Sequence, residues 1–218
     1  MKITERVVKL LLWINGFGWV VVAQVAKRLS VSFTTAARLV RRLIKAKLLR
    51  RVTFPGITIS PLVLTRLGCT VSGDGLAPSK GIRTGELRHD AKLVDVAREI
   101  EAVSGGVFEP VRRVRHVMAA DDKKHLPDGI LHRADGTRVI IELELSVKSQ
   151  GRLARIIRDH AADLSAQETW YVTDSAAVAR AVRRASGAFE HVRVVRLTSS
   201  GTSPTVTAGD PKKGSSNA

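Results

Sequence analysis

Hydrophobic residues recur with a helical period along the first 47 positions of the chain. The segments ITERVVKLLLWIN (3–15) and VVVAQVAKRL (20–29) predict two helices, and the first is expected to end at Gly16. After a short turn, Ser32 is a suitable N-cap for a third helix, FTTAARLVRRLIKAK (33–47). The apolar stripe of this third helix consists of Phe33, Ala36, Ala37, Val40, Leu43 and Ile44.

The pattern then changes to two β-rich runs. They lie in LLRRVTFPGITISPLVLT (48–65), on either side of Pro55 and Gly56, and predict a β-hairpin. Three helices followed by a hairpin are the elements of a winged helix-turn-helix, in which the third helix enters the major groove of DNA. The hairpin tip near Phe54 then lies along the DNA backbone or the minor groove. We therefore predict a winged helix-turn-helix domain over residues 1–70.

The rest of the chain predicts a second domain. A glycine-rich stretch at 71–85 predicts a linker, and helical and strand patterns alternate over residues 86–198. The expected elements are helices at 86–104, 149–165 and 175–186, and strands at 107–118, 128–133, 137–145, 169–173 and 191–197. The fold class is therefore α/β (α+β), with the order α-β-β-β-α-β in the second domain. The polar residues 199–218 predict a disordered tail.

Basic residues are concentrated at the N-terminus. The chain has 36 Lys and Arg against 20 Asp and Glu, for a net charge of +16. Residues 1–52 contain twelve basic residues and one acidic residue, Glu5, which gives +11, whereas residues 86–198 contain nineteen basic and seventeen acidic residues. This imbalance indicates a polyanionic partner for the N-terminal domain, and nucleic acid is the leading one.

The polar face of the third helix carries much of this charge and no acidic residue. We expect double-stranded DNA to contact this face and the strand after it, through Thr34, Thr35, Arg38, Arg41, Arg42, Lys45, Arg50 and Arg51. Arginines on a helix are also typical of a solvated surface, and a compact three-helix domain can serve protein contacts. A protein-interaction adaptor therefore stays open. Because symmetric dimers often read DNA operators, a homodimer is a further expectation.

Cysteine content and hydropathy indicate the cellular setting. Cys69 is the only cysteine, so the chain has no intrachain disulfide and no multi-thiolate zinc site. The apolar stretch at 7–22 is interrupted by Lys9 and Asn15, and it has neither the length of a membrane span nor a signal-peptide cleavage pattern. We expect a soluble, cytoplasmic protein that does not bind membranes.

Two glutamates alternate within an apolar strand of the second domain. The segment IELEL (141–145) places Glu142 and Glu144 on one side of that strand, since successive side chains point to opposite faces. Two carboxylates on one face can bind one Mg²⁺ ion, which polarises a phosphodiester and generates hydroxide. The other interpretation also stays open, in which both glutamates are the solvated face of a half-buried strand and Asp128 belongs to a turn.

The connection between the two strands decides whether Asp128 shares this face. A two-residue turn places Asp128 opposite Leu143, on the other face, and juxtaposes two arginines across the strands. A three-residue loop at 134–136, with Gly136 left-handed, places Asp128 opposite Glu142. We predict the three-residue loop.

The order of elements and the residues Pro127-Asp128 and Glu142-Leu143-Glu144 resemble the PD-(D/E)XK nuclease superfamily. The resemblance implies that the two acidic positions hold Mg²⁺ and that a lysine two positions later activates or orients water. Glu144 stands in the lysine position, and Lys148 is available as a substitute. The implied catalytic set is Asp128, Glu142, Glu144 and Lys148, and the implied metal ligands are Asp128, Glu142 and Glu144.

The whole arrangement also resembles the replication-relaxation family of bacterial mobile elements, which pairs a winged helix with a nuclease-like domain. The matching segments are LTRLG (64–68), RHDAKLVDVAREI (88–100), PDG (127–129) and IELELSVKSQGRLARII (141–157). The resemblance implies a plasmid-borne or integrated gene whose product binds DNA in replication, mobilisation or transcription control. Tyr171 is the only tyrosine and lies in an apolar strand, which favours an accessory factor over a strand-nicking relaxase.

Three functions follow from these patterns. In the leading one, the winged helix binds duplex DNA and the nuclease-like domain is a non-catalytic scaffold that requires no cofactor, because the missing lysine removes a proton-handling group. The second is an active Mg²⁺-dependent endonuclease, and the third is the adaptor.

Two further groups of residues have open roles. His125 and His132 flank the acidic residues and are considered as metal ligands or proton carriers, against the more common structural role of a histidine. Arg152, Arg155 and Arg158 recur every third residue, which suits a phosphate contact and a solvated stripe equally.

Overall fold

The computed structural model describes residues 2–117, 125–163, 165–187 and 189–197 and the backbone of residues 205–207. It confirms a mixed α/β structure. The helices are α1 (Glu5–Phe17), α2 (Val22–Leu29), α3 (Phe33–Lys45), α4 (Arg66–Ser72), α5 (Leu87–Ser104), α6 (Val111–Val117), α7 (Gln150–Ala161) and α8 (Ala176–Ala185), with a 3₁₀ turn at Thr84–Glu86. The strands are β1 (Leu49–Arg51), β2 (Leu62–Leu64), β3 (Val107–Pro110), β4 (Gly129–His132), β5 (Arg138–Leu143), β6 (Glu168–Thr173), β7 (Val192–Arg196) and β8 (Thr205–Thr207).

Packing divides the chain into two compact units. The first contains Met1–Arg98 and Glu109–Ala120, and the second contains Glu99–Phe108 and Asp121–Ala218. This division differs from the expected boundary near residue 86, because Leu87 on α5 packs with Trp19 and Val63 in a core of the first unit. No helix in the described ranges is long and apolar enough to cross a membrane.

The first unit has its core between α1, α2, α3 and the small sheet. As predicted, Ser32 caps α3: its Oγ accepts a hydrogen bond of 3.2 Å from the backbone N–H of Thr35. Ala36, Val40 and Leu43 are fully buried and fix the orientation of the helix. The predicted apolar stripe was wrong at its first position, because Phe33 is 60% exposed.

The predicted hairpin is confirmed. Strands β1 and β2 pair antiparallel, with Leu49 opposite Leu64. At the tip, Phe54 forms an isolated bridge with Ile57. Gly56 lies between them with a φ of +71°, a conformation that favours glycine.

The stretch expected to be a linker is partly folded into the first unit. Its first residues complete α4, which is capped by Thr65 through a hydrogen bond of 3.0 Å from the backbone N–H of Gly68. Asp74 then accepts hydrogen bonds of 2.9 Å from Asn15 Nδ2 and 3.0 Å from Ser72 Oγ. These contacts attach residues 71–76 to α1, so a free linker over the whole of 71–85 is not what the structure shows.

The strand predicted at 107–118 was wrong beyond residue 110. Residues 111–117 form α6, whose arginines approach the C-terminal end of α1. Arg112 donates to the carbonyl and the side-chain oxygen of Asn15, and Arg113 donates to the carbonyl of Leu12 at 2.7 Å. Helix α1 has no basic residue in its own last turn, so these cations stabilise the negative end of its dipole.

The second unit is built on a sheet with strand order β3-β4-β5-β6-β7-β8. Strands β4 and β5 pair antiparallel, and β5, β6 and β7 run parallel. Helices α7 and α8 make the crossovers between the parallel strands, as such connections require. Their apolar sides pack against Tyr171, Val192 and Val194 on one face of the sheet.

The three-residue loop between β4 and β5 is confirmed. The N–H of Arg133 donates to the carbonyl of Thr137 at 2.9 Å, and Gly136 has a φ of +83°. Gly129 lies opposite Ile141, and continuing this register places Asp128 opposite Glu142.

The predicted disordered tail contains one strand. Thr205–Thr207 form β8, which pairs antiparallel with β7. The other residues of 199–218 lie outside the described residues, and disorder there stays a prediction.

Candidate functional site

The basic face of α3 is exposed along its whole length. The predicted DNA contacts Thr34, Thr35, Arg38, Arg41, Arg42 and Lys45 are all exposed. None of the four basic side chains forms an ion pair with any residue that the structure describes. The opposite side of the helix is held by its buried alanine, valine and leucine, so the charged face is presented on a fixed support.

The hairpin adds two more exposed cations to the first unit. Arg50 and Arg51 on β1 are both exposed, as predicted, while Leu49 at the start of the strand is buried. The tip residues Pro55 and Gly56 are exposed as well. Helix α3 and the hairpin therefore present two basic surfaces in one compact unit.

The acidic residues of the second unit are buried rather than solvated. Glu142 and Glu144 are 2% and 3% exposed, which rules out the interpretation that they form the wet face of a half-buried strand. Glu142 lies beside Tyr171 in the parallel pairing of β5 with β6, on the face that α7 covers. Asp128 is half-buried, and its Oδ2 accepts a hydrogen bond of 2.8 Å from the N–H of Leu143.

The two glutamates have different partners. Lys148 Nζ forms an ion pair with Glu144 Oε1, and both side chains are largely buried. Glu142 instead approaches two histidines, with its Oε1 at 3.3 Å from His125 Nε2 and 3.5 Å from His160 Nε2. The expected metal set of Asp128, Glu142 and Glu144 is therefore not the one that the structure gathers.

In the described part of the chain, one group of three side chains has the spacing of metal ligands. The ligand atoms of His125, Glu142 and His160 all lie within 4.8 Å of one another. The rings of the two histidines are 5.3 Å apart between centroids. His125 was one of the two histidines singled out in the sequence, and His132, the other, is on β4.

His160 was missed in the sequence, although a signal for it exists. It falls on the buried stripe of α7 together with Leu153, Ile156 and Ile157, at helical spacing. A histidine at a core position of the helix that crosses over from the Glu142 strand is expected to meet that strand's inner face. Its ring Nδ1 lies 3.4 Å from the hydroxyl of Tyr171, which is fully buried.

Burial dominates the electrostatics of this group. It raises the pKa of Glu142 to about 7, with the nearby His125 opposing the shift and Asp128 adding to it. Burial, and then the proximity of His125, lower the pKa of His160 to about 4, so its ring is neutral at pH 7. The pKa of His125 is raised, first by its contact with Glu142. The pKa of Tyr171 is also raised by burial, so the hydroxyl stays protonated.

The remaining arginines named in the sequence lie on the outside of α7. Arg152, Arg155 and Arg158 are all exposed, as both the phosphate-binding and the solvated interpretation require.

Comparison with known proteins found no matching family model, no matching curated protein and no matching solved structure. The function is therefore inferred from the two sites themselves.

Proposed function

We propose that the protein binds double-stranded DNA through the exposed basic face of α3. One observation carries the proposal: Arg38, Arg41, Arg42 and Lys45 share an exposed surface and have no ion-pair partner among the described residues. Four unneutralised cations on one side of a rigid helix attract a polyanion, and phosphates that they contact release condensed counterions. A solvated helix usually mixes both signs of charge, and this one does not.

The neighbouring elements support DNA as the polyanion. Helices α1, α2 and α3 followed by the β1–β2 hairpin are the elements of a winged helix-turn-helix, and α3 then corresponds to the recognition helix. Arg50 and Arg51 on the hairpin add a second exposed basic surface to the same unit. Together with the resemblance to the replication-relaxation family, this suggests an accessory or regulatory DNA-binding protein of a mobile element, acting alone or as a homodimer.

The proposal is tested by the salt dependence of DNA binding. A fluorescently labelled duplex is titrated with the protein at several salt concentrations, beginning at low salt where non-specific binding is tightest. The double variant Arg38→Ala with Arg42→Ala removes two cations one helical turn apart. We expect at least tenfold weaker binding and a fall of about 2 in the slope of log K against log salt, since each lost phosphate contact contributes about 1.

A matched control removes the same charge elsewhere. Arg180 and Arg184 are exposed on α8 with the same four-residue spacing, so the double variant Arg180→Ala with Arg184→Ala keeps the net charge equal to that of the α3 variant. The control is expected to bind DNA like the unmodified protein. Equal losses in both variants indicate attraction to net charge alone, and no DNA binding by either the unmodified protein or the variants favours the adaptor.

A second function is favoured by the register of β4 and β5. Asp128 lies opposite Glu142, as a Mg²⁺-dependent endonuclease of the PD-(D/E)XK type requires. Lys148, the substitute lysine of that mechanism, is however paired with Glu144. For this reason we propose a scaffold role for the second unit and hold cleavage as the alternative. Incubating plasmid DNA with the protein and Mg²⁺ or Mn²⁺ distinguishes the two, because cutting that is lost in Glu142→Gln supports the endonuclease.

A further inference from the structure

Two histidines and a glutamate lie close together in the second unit without forming hydrogen bonds to one another. The Nε2 atoms of His125 and His160 and the Oε1 atom of Glu142 are all buried, and none has a hydrogen-bond partner in the described part of the chain. Their separations are short, but the donor directions are not those of hydrogen bonds. Native proteins leave few buried polar atoms unpaired, and each such atom calls for an explanation. We propose that these three side chains bind one transition-metal dication, with Zn²⁺ the best fitted.

The distances agree with the edges of a coordination shell. Ligand atoms at about 2.1 Å from a tetrahedral zinc ion lie about 3.4 Å from one another. The two measured separations from Glu142 Oε1 are 3.3 Å to His125 and 3.5 Å to His160. One ligand atom from each of the three residues lies within 4.8 Å of the other two. An ion among the three atoms therefore requires only modest rotation of the His125 ring, which is the most exposed of the three.

The ligand types select the class of metal. Two imidazole nitrogens and one carboxylate oxygen suit Zn²⁺, Fe²⁺, Co²⁺ and similar ions, whereas Mg²⁺ takes oxygen ligands and keeps several waters. This distinguishes the site from the three-carboxylate Mg²⁺ set expected from the sequence. Glu144 has its own cation in Lys148, so Glu142 is the carboxylate left for a metal.

The surroundings of Glu142 also favour a cation. Its side chain is 3% exposed, and the only groups of the described residues within ion-pair distance are the two histidines. A buried carboxylate without a cation is costly, and a dication compensates it while using all three unpaired atoms at once. One bound ion thus accounts for the burial of Glu142, the position of His160 in a core stripe and the lack of hydrogen bonds.

Tyr171 acts as a positioning residue for His160. Its hydroxyl lies 3.4 Å from Nδ1, the ring atom opposite the proposed ligand atom. When Nδ1–H donates to this hydroxyl, Nε2 carries the free lone pair that a metal requires. Metal-bound histidines commonly have such a partner, which fixes the tautomer and the ring orientation.

Metal binding is tested directly on the whole protein, after treatment with a chelator. We expect calorimetric titration with ZnCl₂ to show one saturating equivalent of micromolar or tighter affinity, and MgCl₂ to show none. Co²⁺ should give visible d–d absorption of the intensity typical of tetrahedral sites. His125→Ala and Glu142→Gln are expected to weaken Zn²⁺ binding at least tenfold. His125→Ala is the gentler variant, because this side chain is 35% exposed.

The matched control is His132→Ala. His132 lies four residues beyond Asp128, the residue opposite Glu142, and is therefore about 13 Å further along the strand direction. Its substitution should leave the Zn²⁺ affinity unchanged. The proposal is overturned if the unmodified protein binds no Zn²⁺, or if His125→Ala binds it as well as the unmodified protein does, which would indicate adventitious surface binding. It is independent of DNA binding, so the Arg38→Ala with Arg42→Ala variant should retain the metal.

Discussion

The carboxylate of Asp128 accepts a hydrogen bond of 2.8 Å from the backbone N–H of Leu143. This bond links the residue before β4 to the last residue of β5, at the end of the hairpin away from its loop. Asp128 therefore has a structural role that needs no metal. A loss of activity on removing this side chain would not by itself show that it binds Mg²⁺, which is why Glu142→Gln is the better test of hydrolysis.

We expect Asp128→Ala to lower the free energy of unfolding by about 1–3 kcal/mol, because a half-buried backbone N–H loses a charged acceptor. Asp128→Asn should cost clearly less, since its amide oxygen can still accept the bond. Urea unfolding followed by circular dichroism measures both values. Equal destabilisation by the two variants would mean that the charge, and not the hydrogen bond, is what Asp128 provides.

Substitutions of Glu144 and Lys148 are expected to have strongly non-additive effects on the free energy of unfolding. Lys148→Met leaves the Glu144 carboxylate buried without a cation, and we expect a loss of roughly 3 kcal/mol in the free energy of unfolding. Adding Glu144→Met should restore most of it, because an apolar pair of similar volume replaces the ion pair. If Lys148→Met has no effect, the pair contributes as little as a surface ion pair does.

Features governed by neighbouring residues could be predicted from the sequence. The N-cap at Ser32, the helical period of α3 and the loop at 134–136 each depend on a few adjacent positions, and all three agree with the structure. The loop prediction also fixed the register that places Asp128 opposite Glu142. A one-residue change in that loop would have moved Asp128 to the other face of the sheet.

Features that depend on distant contacts could not be predicted in this way. Residues 111–117 contain three valines, a residue type that favours strands, but they form a helix in which Arg112 donates to Asn15, 97 positions away. The partners of Glu142 are likewise remote in sequence: His160 lies on a different element, and its role depends on how α7 packs. The sequence pattern indicates Glu142 as a metal ligand and His125 as a flanking histidine, but it also assigns Glu144 to the metal, whereas the structure pairs Glu144 with Lys148.

Substitution of Phe33 is expected to weaken DNA binding without lowering the stability of the fold. Phe33 is the first residue of α3 and is 60% exposed. In helix-turn-helix proteins the N-terminal residues of the recognition helix contact base edges, and an aromatic ring at that position can pack on a thymine methyl group. We expect Phe33→Ala to change the free energy of unfolding by less than about 0.5 kcal/mol. The affinity of the Phe33→Ala variant for a preferred duplex, selected from a random library, should be about five- to tenfold lower than that of the unmodified protein.

Leu67→Ala provides the comparison for Phe33. Leu67 is an equally apolar side chain that is 50% exposed on α4, a helix without a predicted role in DNA binding. Its substitution should leave the affinity for the selected duplex unchanged in the same fluorescence assay. A matching loss in Leu67→Ala, or a clear loss of stability in Phe33→Ala, would contradict a base contact by Phe33.

The proposed metal centre predicts stabilisation of the folded protein by Zn²⁺. At a free concentration one hundred times the dissociation constant, a ligand of the folded state contributes about 2.7 kcal/mol. For a unit of about a hundred residues this raises the melting temperature by roughly 10 °C or more, which differential scanning calorimetry detects and a chelator should reverse. Tyr171→Phe removes the hydroxyl beside His160 Nδ1 and should weaken Zn²⁺ binding about tenfold. At the same Zn²⁺ concentration the stabilisation by Zn²⁺ is then smaller by about 1.4 kcal/mol, and the increase in melting temperature is smaller in proportion. A full-sized shift in His125→Ala would show that Zn²⁺ stabilises the protein from another site.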